Sequence, residues 1–80
     1  MKVDDKLKEM GYSRYLITWE GIRTLIYKKQ GACCTNFEIN LNTKAVRFFV
    51  GHNKYKSASV DLSLLEIVIE KVKELWKNWY

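Results

Sequence analysis

Arginine and aromatic side chains are the residues of this 80-residue chain whose types and spacing can do chemistry. Arg23 and Tyr27 lie four positions apart, and Arg47 and Phe49 lie two apart, so each pair shares one face if its segment is a β-strand. Arg14 can join the same face. Arginines bind phosphates and aromatic rings stack on unpaired bases, but the same residue types also dominate protein–protein hot spots. We therefore expect an outward sheet face that binds a protein, binds nucleic acid, or is simply solvated.

A second aromatic group closes the sequence. Trp76, Trp79 and Tyr80 recur at helical spacing, which is typical of core packing, and Trp76 fits that interpretation. Trp79 and Tyr80 have less sheet left to cover, so they predict either intramolecular packing or a separate contact with a partner or a second copy.

The sequence gives little evidence for a catalytic or metal-binding site. The single histidine, His52, lies in a polar segment and is best interpreted as solvated, without a clear nucleophile to activate. Cys33 and Cys34 are adjacent, so on a strand they point to opposite faces and cannot share one ion without a bulge. We predict no catalytic residue, no cofactor and no metal site.

Two helices and a set of strands must position these side chains. Val3, Leu7 and Met10 predict a short helix over 3–10, ended by Gly11 as a left-handed cap. The last segment predicts a long helix with an apolar seam from Leu65 to Trp79. Its entry matches a capping box of Ser63 with Glu66.

The strands are read from alternation. Segments 14–20 and 22–29 are joined by the turn Glu20-Gly21. In 33–41, Phe37 and Ile39 point one way and Asn36 and Glu38 the other. In 45–50, Phe48 points inward and Phe49 outward. Segment 55–60 is left open as a fifth strand or coil, and the buried face of the first two strands is left open as well.

The short links force antiparallel neighbours, so the prediction is an α+β fold of order α-β-β-β-β-α. It is a single domain over 1–80, with a β-meander of four or five strands and the long C-terminal helix packed on one face.

Composition fits a folded protein with a surface for partners. The apolar fraction of 48% and aromatic fraction of 14% are too high for a disordered tail. A net charge of +5 favours polyanions without requiring them. The adjacent cysteines, the charged start and the lack of a membrane-length apolar run predict a cytoplasmic protein that does not bind membranes.

Two resemblances bear on function. The order of elements resembles that of double-stranded RNA-binding domains, but the helix opening Leu62-Ser63-Leu64-Leu65-Glu66 is acidic and bulky where those domains are basic. The segments Lys6-Leu7-Lys8-Glu9-Met10-Gly11-Tyr12, Asn40-Leu41-Asn42-Thr43-Lys44 and Asp61-Leu62-Ser63 resemble small phage and prophage proteins of low-GC Gram-positive bacteria. That resemblance implies a binding protein without catalysis, and some such proteins inhibit host defence.

We therefore expect a non-enzymatic interaction protein that binds a host or phage protein. The expected partner-binding residues are Arg23, Tyr27, Arg47, Phe49, Trp79 and Tyr80. The alternative is a small nucleic-acid-binding module that uses the same sheet face. A homodimer is compatible with either.

Overall fold

A computed structural model describes residues 2–31, 34–51 and 59–76 of the chain. The elements follow in the order α1 (Val3–Glu9), β1 (Ser13–Trp19), β2 (Ile22–Lys28), β3 (Thr35–Asn40), β4 (Val46–Val50) and α2 (Leu62–Leu75). The strands form one antiparallel sheet in the order β1-β2-β3-β4. The predicted α+β meander with a helix at each end is therefore confirmed.

The turns form where backbone chemistry favours them. Glu20 and Gly21 have φ values of 51° and 79°, the two positive angles of the type I′ turn that suits the twist of a hairpin. At the end of α1, Gly11 has φ of 97°, and the amide of Tyr12 donates to the carbonyl of Leu7. This is the Schellman ending that the glycine predicted.

The helix α2 begins differently from the sequence-based expectation. Asp61, not Ser63, is the N-cap, and its Oδ1 accepts a 2.8 Å hydrogen bond from the amide of Leu64. A carboxylate suits this position because it also lies at the positive end of the helix dipole.

The apolar seam of α2 is also rotated from the predicted one. Leu64 and Val68 are buried, whereas Leu65 and Ile69 are exposed. The buried face includes the charged side chain of Lys71, which a search for apolar periodicity passes over.

The core lies between the helices and one face of β2, β3 and β4. Leu25 pairs with Ile39, and Tyr27 pairs with Phe37, which in turn pairs with Phe48. These side chains meet Val3 and Leu7 of α1 and Leu64 and Val68 of α2. The rings of Tyr27 and Phe37 are stacked with centroids 4.8 Å apart, a favourable aromatic geometry. We call this the covered face and the opposite one the outer face.

Candidate interaction surface

The structure separates the four sheet residues that were expected to bind a partner together. Because Tyr27 pairs with Phe37, it lies on the covered face, and Arg23 shares that face by alternation. Arg47 pairs with Glu38 and Phe49 pairs with Asn36 on the outer face. The prediction of one shared face for Arg23, Tyr27, Arg47 and Phe49 is therefore wrong, because β2 turns toward the core the face that this grouping placed outward. Arg14 also lies on the covered face, because it pairs with Tyr27.

Tyr27 is an interior residue. It is 1% exposed, and its hydroxyl donates a 2.6 Å hydrogen bond to Oδ1 of Asp4. Burial, together with that hydrogen bond and the charge of Asp4, raises the pKa of Tyr27 well above its usual value. The side chain is thus held neutral and out of reach of a partner.

Phe49 is fully buried although it lies on the outer face. Arg47 and Arg23 stay exposed. The guanidinium of Arg47 donates to Oε1 of Glu38, with its Nε 2.9 Å from that oxygen. Of these four side chains, Arg47 is therefore the one that a partner on the outer face could reach.

The other predicted positions cannot be placed. Trp79 and Tyr80 lie outside the described residues, and so do Cys33, His52 and positions 55–58 of the candidate strand over 55–60. Positions 59 and 60 are described and lie outside any strand. Cys34 is described as a free, half-buried thiol whose Sγ lies 3.1 Å from the carbonyl of Gln30.

Among the residues that the structure describes, the largest exposed apolar group lies on the outer face of the β1–β2 hairpin. It consists of four side chains, which we call the outer patch: Tyr15, Ile17, Trp19 and Ile22. Trp19 is 74% exposed, and the other three are each about half exposed. A contiguous apolar group of this kind on a small protein marks an interaction site more often than a chance feature.

The two-residue turn is what assembles this patch. Glu20-Gly21 makes Trp19 the partner of Ile22, and the register then carries Ile17 opposite Thr24 and Tyr15 opposite Ile26. Residues that face each other across an antiparallel pair lie on the same side of the sheet. The turn and the alternation were both visible in the sequence, so combining them would have found the patch.

A shallow groove of about 330 Å³ runs beside the patch. Ile26, which is buried, forms part of its lining between Ile17 on one side and the Glu38–Arg47 ion pair on the other. The outer face therefore has an apolar half on β1 and β2 and a polar half on β3 and β4. An apolar centre with a polar rim is the usual anatomy of a protein interface.

Asn36 lies at one end of the polar half, beside the ends of β2 and β4. Its Oδ1 accepts a 2.7 Å hydrogen bond from the amide of Lys29, and its Nδ2 donates to the carbonyl of Gly51 at 2.8 Å. The side chain is buried with these bonds made, so it ties the neighbouring ends of β2, β3 and β4 together rather than facing a ligand.

A cluster of charged groups lies on the covered face, away from the patch. Lys71, whose side chain is 4% exposed, places its Nζ 3.1 Å from Oδ1 of Asp4 and 3.1 Å from Oε1 of Glu74. Burial opposes the charge of Asp4, but the hydrogen bonds from Tyr27 and Lys71 and the charges of Lys71 and Arg14 lower its pKa below the usual 3.8.

The Asp4 side chain is 39% exposed, yet it makes specific contacts with two other elements. Asp4 joins α1 to β2 through Tyr27 and to α2 through Lys71. In the part of the chain that the structure describes, every buried side-chain nitrogen and oxygen has a partner, so the cluster has the character of a structural joint.

The residues described hold no group of three histidine, cysteine or acidic side chains able to bind a metal. Neither described helix is long and apolar enough to cross a bilayer. Comparison with protein-family models, with curated proteins and with solved structures gives no match to this chain.

Proposed function

We propose that this is a non-enzymatic interaction protein that binds another protein through the outer patch. The observation that carries the proposal is the contiguous, solvent-facing group of Tyr15, Ile17, Trp19 and Ile22 on a sheet face that the helices leave uncovered. Burying such side chains removes apolar area from water at about 25 cal/mol per Å². The energetic centre of the contact is Trp19, because exposed tryptophans dominate hot spots.

The polar half of the outer face has a separate role in this proposal. Arg47 and Glu38 form the rim of the contact, where charges set orientation and partner choice more than affinity. Substituting either rim residue is expected to change the on-rate and its salt dependence, whereas substituting Trp19 changes the off-rate.

The biological setting follows from the resemblance to small phage and prophage proteins. It favours a host or phage protein as the partner, an action by occlusion in the cytoplasm of the host cell, and inhibition of a host defence protein as one form of that action. The protein itself performs no reaction in this proposal.

Nucleic-acid binding remains the alternative because the chain carries a net charge of +5. The outer face favours it less. Among the described residues there, Lys28 and Arg47 supply positive charge and Glu38 offsets one of them. Arg14 and Arg23 point to the other side of the sheet. A nucleic-acid track needs several phosphate contacts along one path.

The test compares three forms of the protein as bait in a bacterial lysate. The first is unsubstituted, the second carries Ile17→Ser with Trp19→Ser, and the third carries Leu62→Ser as a control. Leu62 is a 68% exposed apolar residue on α2, so its loss lowers surface hydrophobicity away from the patch. We expect the unsubstituted and Leu62→Ser forms to retain one or more proteins. The double variant should retain at least tenfold less of each.

A parallel titration distinguishes nucleic-acid binding from protein binding. The three forms are mixed with a labelled oligonucleotide of mixed sequence at 50 and 200 mM salt. Binding that falls steeply with salt and ignores the Ile17→Ser, Trp19→Ser double variant would support the nucleic-acid function and overturn the protein-binding one. Circular dichroism of each form confirms that the fold is kept.

A further inference from the structure

We propose that the free edge of β1 pairs with β1 of a second copy of this chain, so that two four-stranded sheets join into one of eight strands. This inference starts from the backbone edge of β1, which also carries three residues of the outer patch, and it does not rest on the proposed function. Among the described strands β1 has one neighbour, β2, and all seven residues of β1 are exposed. Its other side carries the row of unpaired backbone groups that an edge strand presents.

The hydrogen-bond pattern identifies these groups. The carbonyl of Arg23 accepts from the amide of Leu41 at 2.8 Å, so Arg23 turns its backbone groups toward β3. Backbone groups alternate sides along a strand, so Ile22 and Thr24 bond to β1. Their partners are Trp19 and Ile17. The groups that project from the free edge therefore belong to Arg14, Leu16 and Thr18.

This edge lacks most of the features that keep sheet edges apart. The chain contains no proline, and β1 pairs with β2 without a bulge over seven consecutive positions. Arg14 is the one charged residue in the strand. Natural edges are usually short, bulged, proline-containing or rich in charge, and a regular apolar edge of seven residues is open to pairing.

Exposure on both faces of β1 favours an edge contact over a face contact. Leu16 is 52% exposed on the covered-face side, where the helices do not reach it, and Ile17 is 49% exposed on the outer side. A partner that lies on the outer face covers Ile17 and leaves Leu16 in water. A strand that lies beside β1 packs against both residues at once.

The sequence of β1 is complementary to itself. An antiparallel pair centred on Leu16 matches all seven residues and places Leu16 opposite Leu16 of the second copy. Tyr15 then faces Ile17, and Arg14 faces Thr18. The two Arg14 residues lie four positions apart, about 13 Å along the strand. Moving the pairing by two residues in either direction leaves five pairs instead of seven, and the shift that centres the pair on Tyr15 also brings the arginines closer. The centred register is therefore the favoured one.

The area available sets the strength of the contact. An edge contact buries only the part of the seven exposed residues of β1 that faces the new strand, so its area is small. A standard interface needs about 800 Å² per partner. We therefore expect a dimer that forms and dissociates with concentration rather than a permanent one.

The test measures mass by sedimentation velocity between about 1 and 500 μM. The unsubstituted chain is expected to move from its 9.5 kDa monomer to a species of twice that mass. Leu16→Pro removes one edge N–H that makes no bond inside the sheet, and proline is tolerated there. We expect Leu16→Pro to remain monomeric and Leu16→Ala, which keeps the N–H, to dimerise more weakly than the unsubstituted chain.

A second pair of variants tests the register without relying on proline. In the centred register, Thr18→Glu gives each Arg14 a carboxylate across the new strand pair, and Thr18→Lys gives it a like charge. The dissociation constants of the two variants are expected to differ about tenfold or more at low salt and to converge at high salt.

Three results would overturn the proposal. The unsubstituted chain could remain monomeric at 500 μM, the dimer could survive Leu16→Pro unchanged, or Trp19→Ser could abolish the dimer while Leu16→Pro does not, which would place the contact on the outer face. If Leu16→Pro unfolds, equal dissociation constants for Thr18→Glu and Thr18→Lys at low salt overturn it instead.

Discussion

Of the strands β1 and β3, β1 has more large apolar side chains, yet β1 is exposed to solvent and β3 is buried or half-buried. β1 carries four large apolar side chains, yet each of its residues is exposed. β3 carries two, Phe37 and Ile39, and both are fully buried. β3 lies between two neighbours and shares the core with both helices, whereas β1 has one neighbour and no cover. Position in the sheet, rather than hydrophobicity, decides which strand stabilises this fold and which remains for contacts.

The largest expected effect on stability tests whether β3 stabilises the fold and β1 does not. We expect Phe37→Ala to lower the free energy of unfolding by about 3–5 kcal/mol, because it leaves a cavity among Tyr12, Tyr27 and Phe48. Trp19→Ala removes an even larger ring and should change stability by less than about 0.5 kcal/mol, because that ring is in water. Urea denaturation of both variants measures the difference. Similar losses for the two would contradict the comparison.

The next largest effect on stability comes from the ion pairs of Asp4 and Glu74 with Lys71 on the covered face, and it depends on pH. The pKa of Asp4 is lowered in the folded protein, so its carboxylate stabilises the fold above its usual pKa of 3.8, and this stability is lost as the pH falls below that value. We expect Asp4→Asn to cost about 1–2 kcal/mol at pH 7, where it weakens charged hydrogen bonds to Lys71 and Tyr27.

Thermal unfolding from pH 7 to pH 3 measures this effect, with Asp5→Asn as the matched control. Asp5 is the exposed neighbour of Asp4 on the same helix. The Asp4→Asn variant should lose less stability on acidification than the unsubstituted chain, and Asp5→Asn should follow the unsubstituted chain. Parallel curves for all three forms would mean that the joint contributes nothing.

The smallest effect concerns the start of the helix that covers the sheet. We expect Asp61→Ala to cost about 1 kcal/mol because the amide of Leu64 loses its acceptor. Ser63→Ala should change stability by only a few tenths of a kcal/mol, because Ser63 is an exposed residue inside the first turn. The melting temperatures of the two variants would reverse in order if Ser63 were the cap.

The sequence was sufficient for the fold wherever one strand face is clearly polar. In β3, Asn36 and Glu38 alternate with Phe37 and Ile39, and the direction of each side chain follows. In β2, Ile22 and Ile26 oppose Leu25 and Tyr27, so alternation does not choose a side. The choice depends on which residue of β3 pairs with Tyr27, and the connection between β2 and β3 is too long to set that pairing by turn geometry.

The candidate site was harder to predict for the same reason. Grouping Tyr27 with Arg47 and Phe49 placed a core residue on the surface, and leaving the buried face of β1 and β2 open overlooked the outer patch. Lys71 was missed because a lysine does not belong to an apolar seam, and its burial depends on Asp4, which lies near the other end of the chain. Contacts of that kind follow from the tertiary structure and leave no local pattern.

The strand order also determines when the protein can finish folding during synthesis. Each strand pairs with the one made just before it, so the hairpin of β1 and β2 can close once Lys28 has emerged from the ribosome, and β3 and β4 can then add in order. Asp4 precedes the sheet in the chain, but its partner Lys71 follows the last strand, so their ion pair cannot form until α2 has been made. Until then Phe37 and Leu25 lack the cover of α2, so a half-made chain is apolar on both sides of its sheet. The growing polypeptide is therefore most prone to misassociate just before α2 is complete.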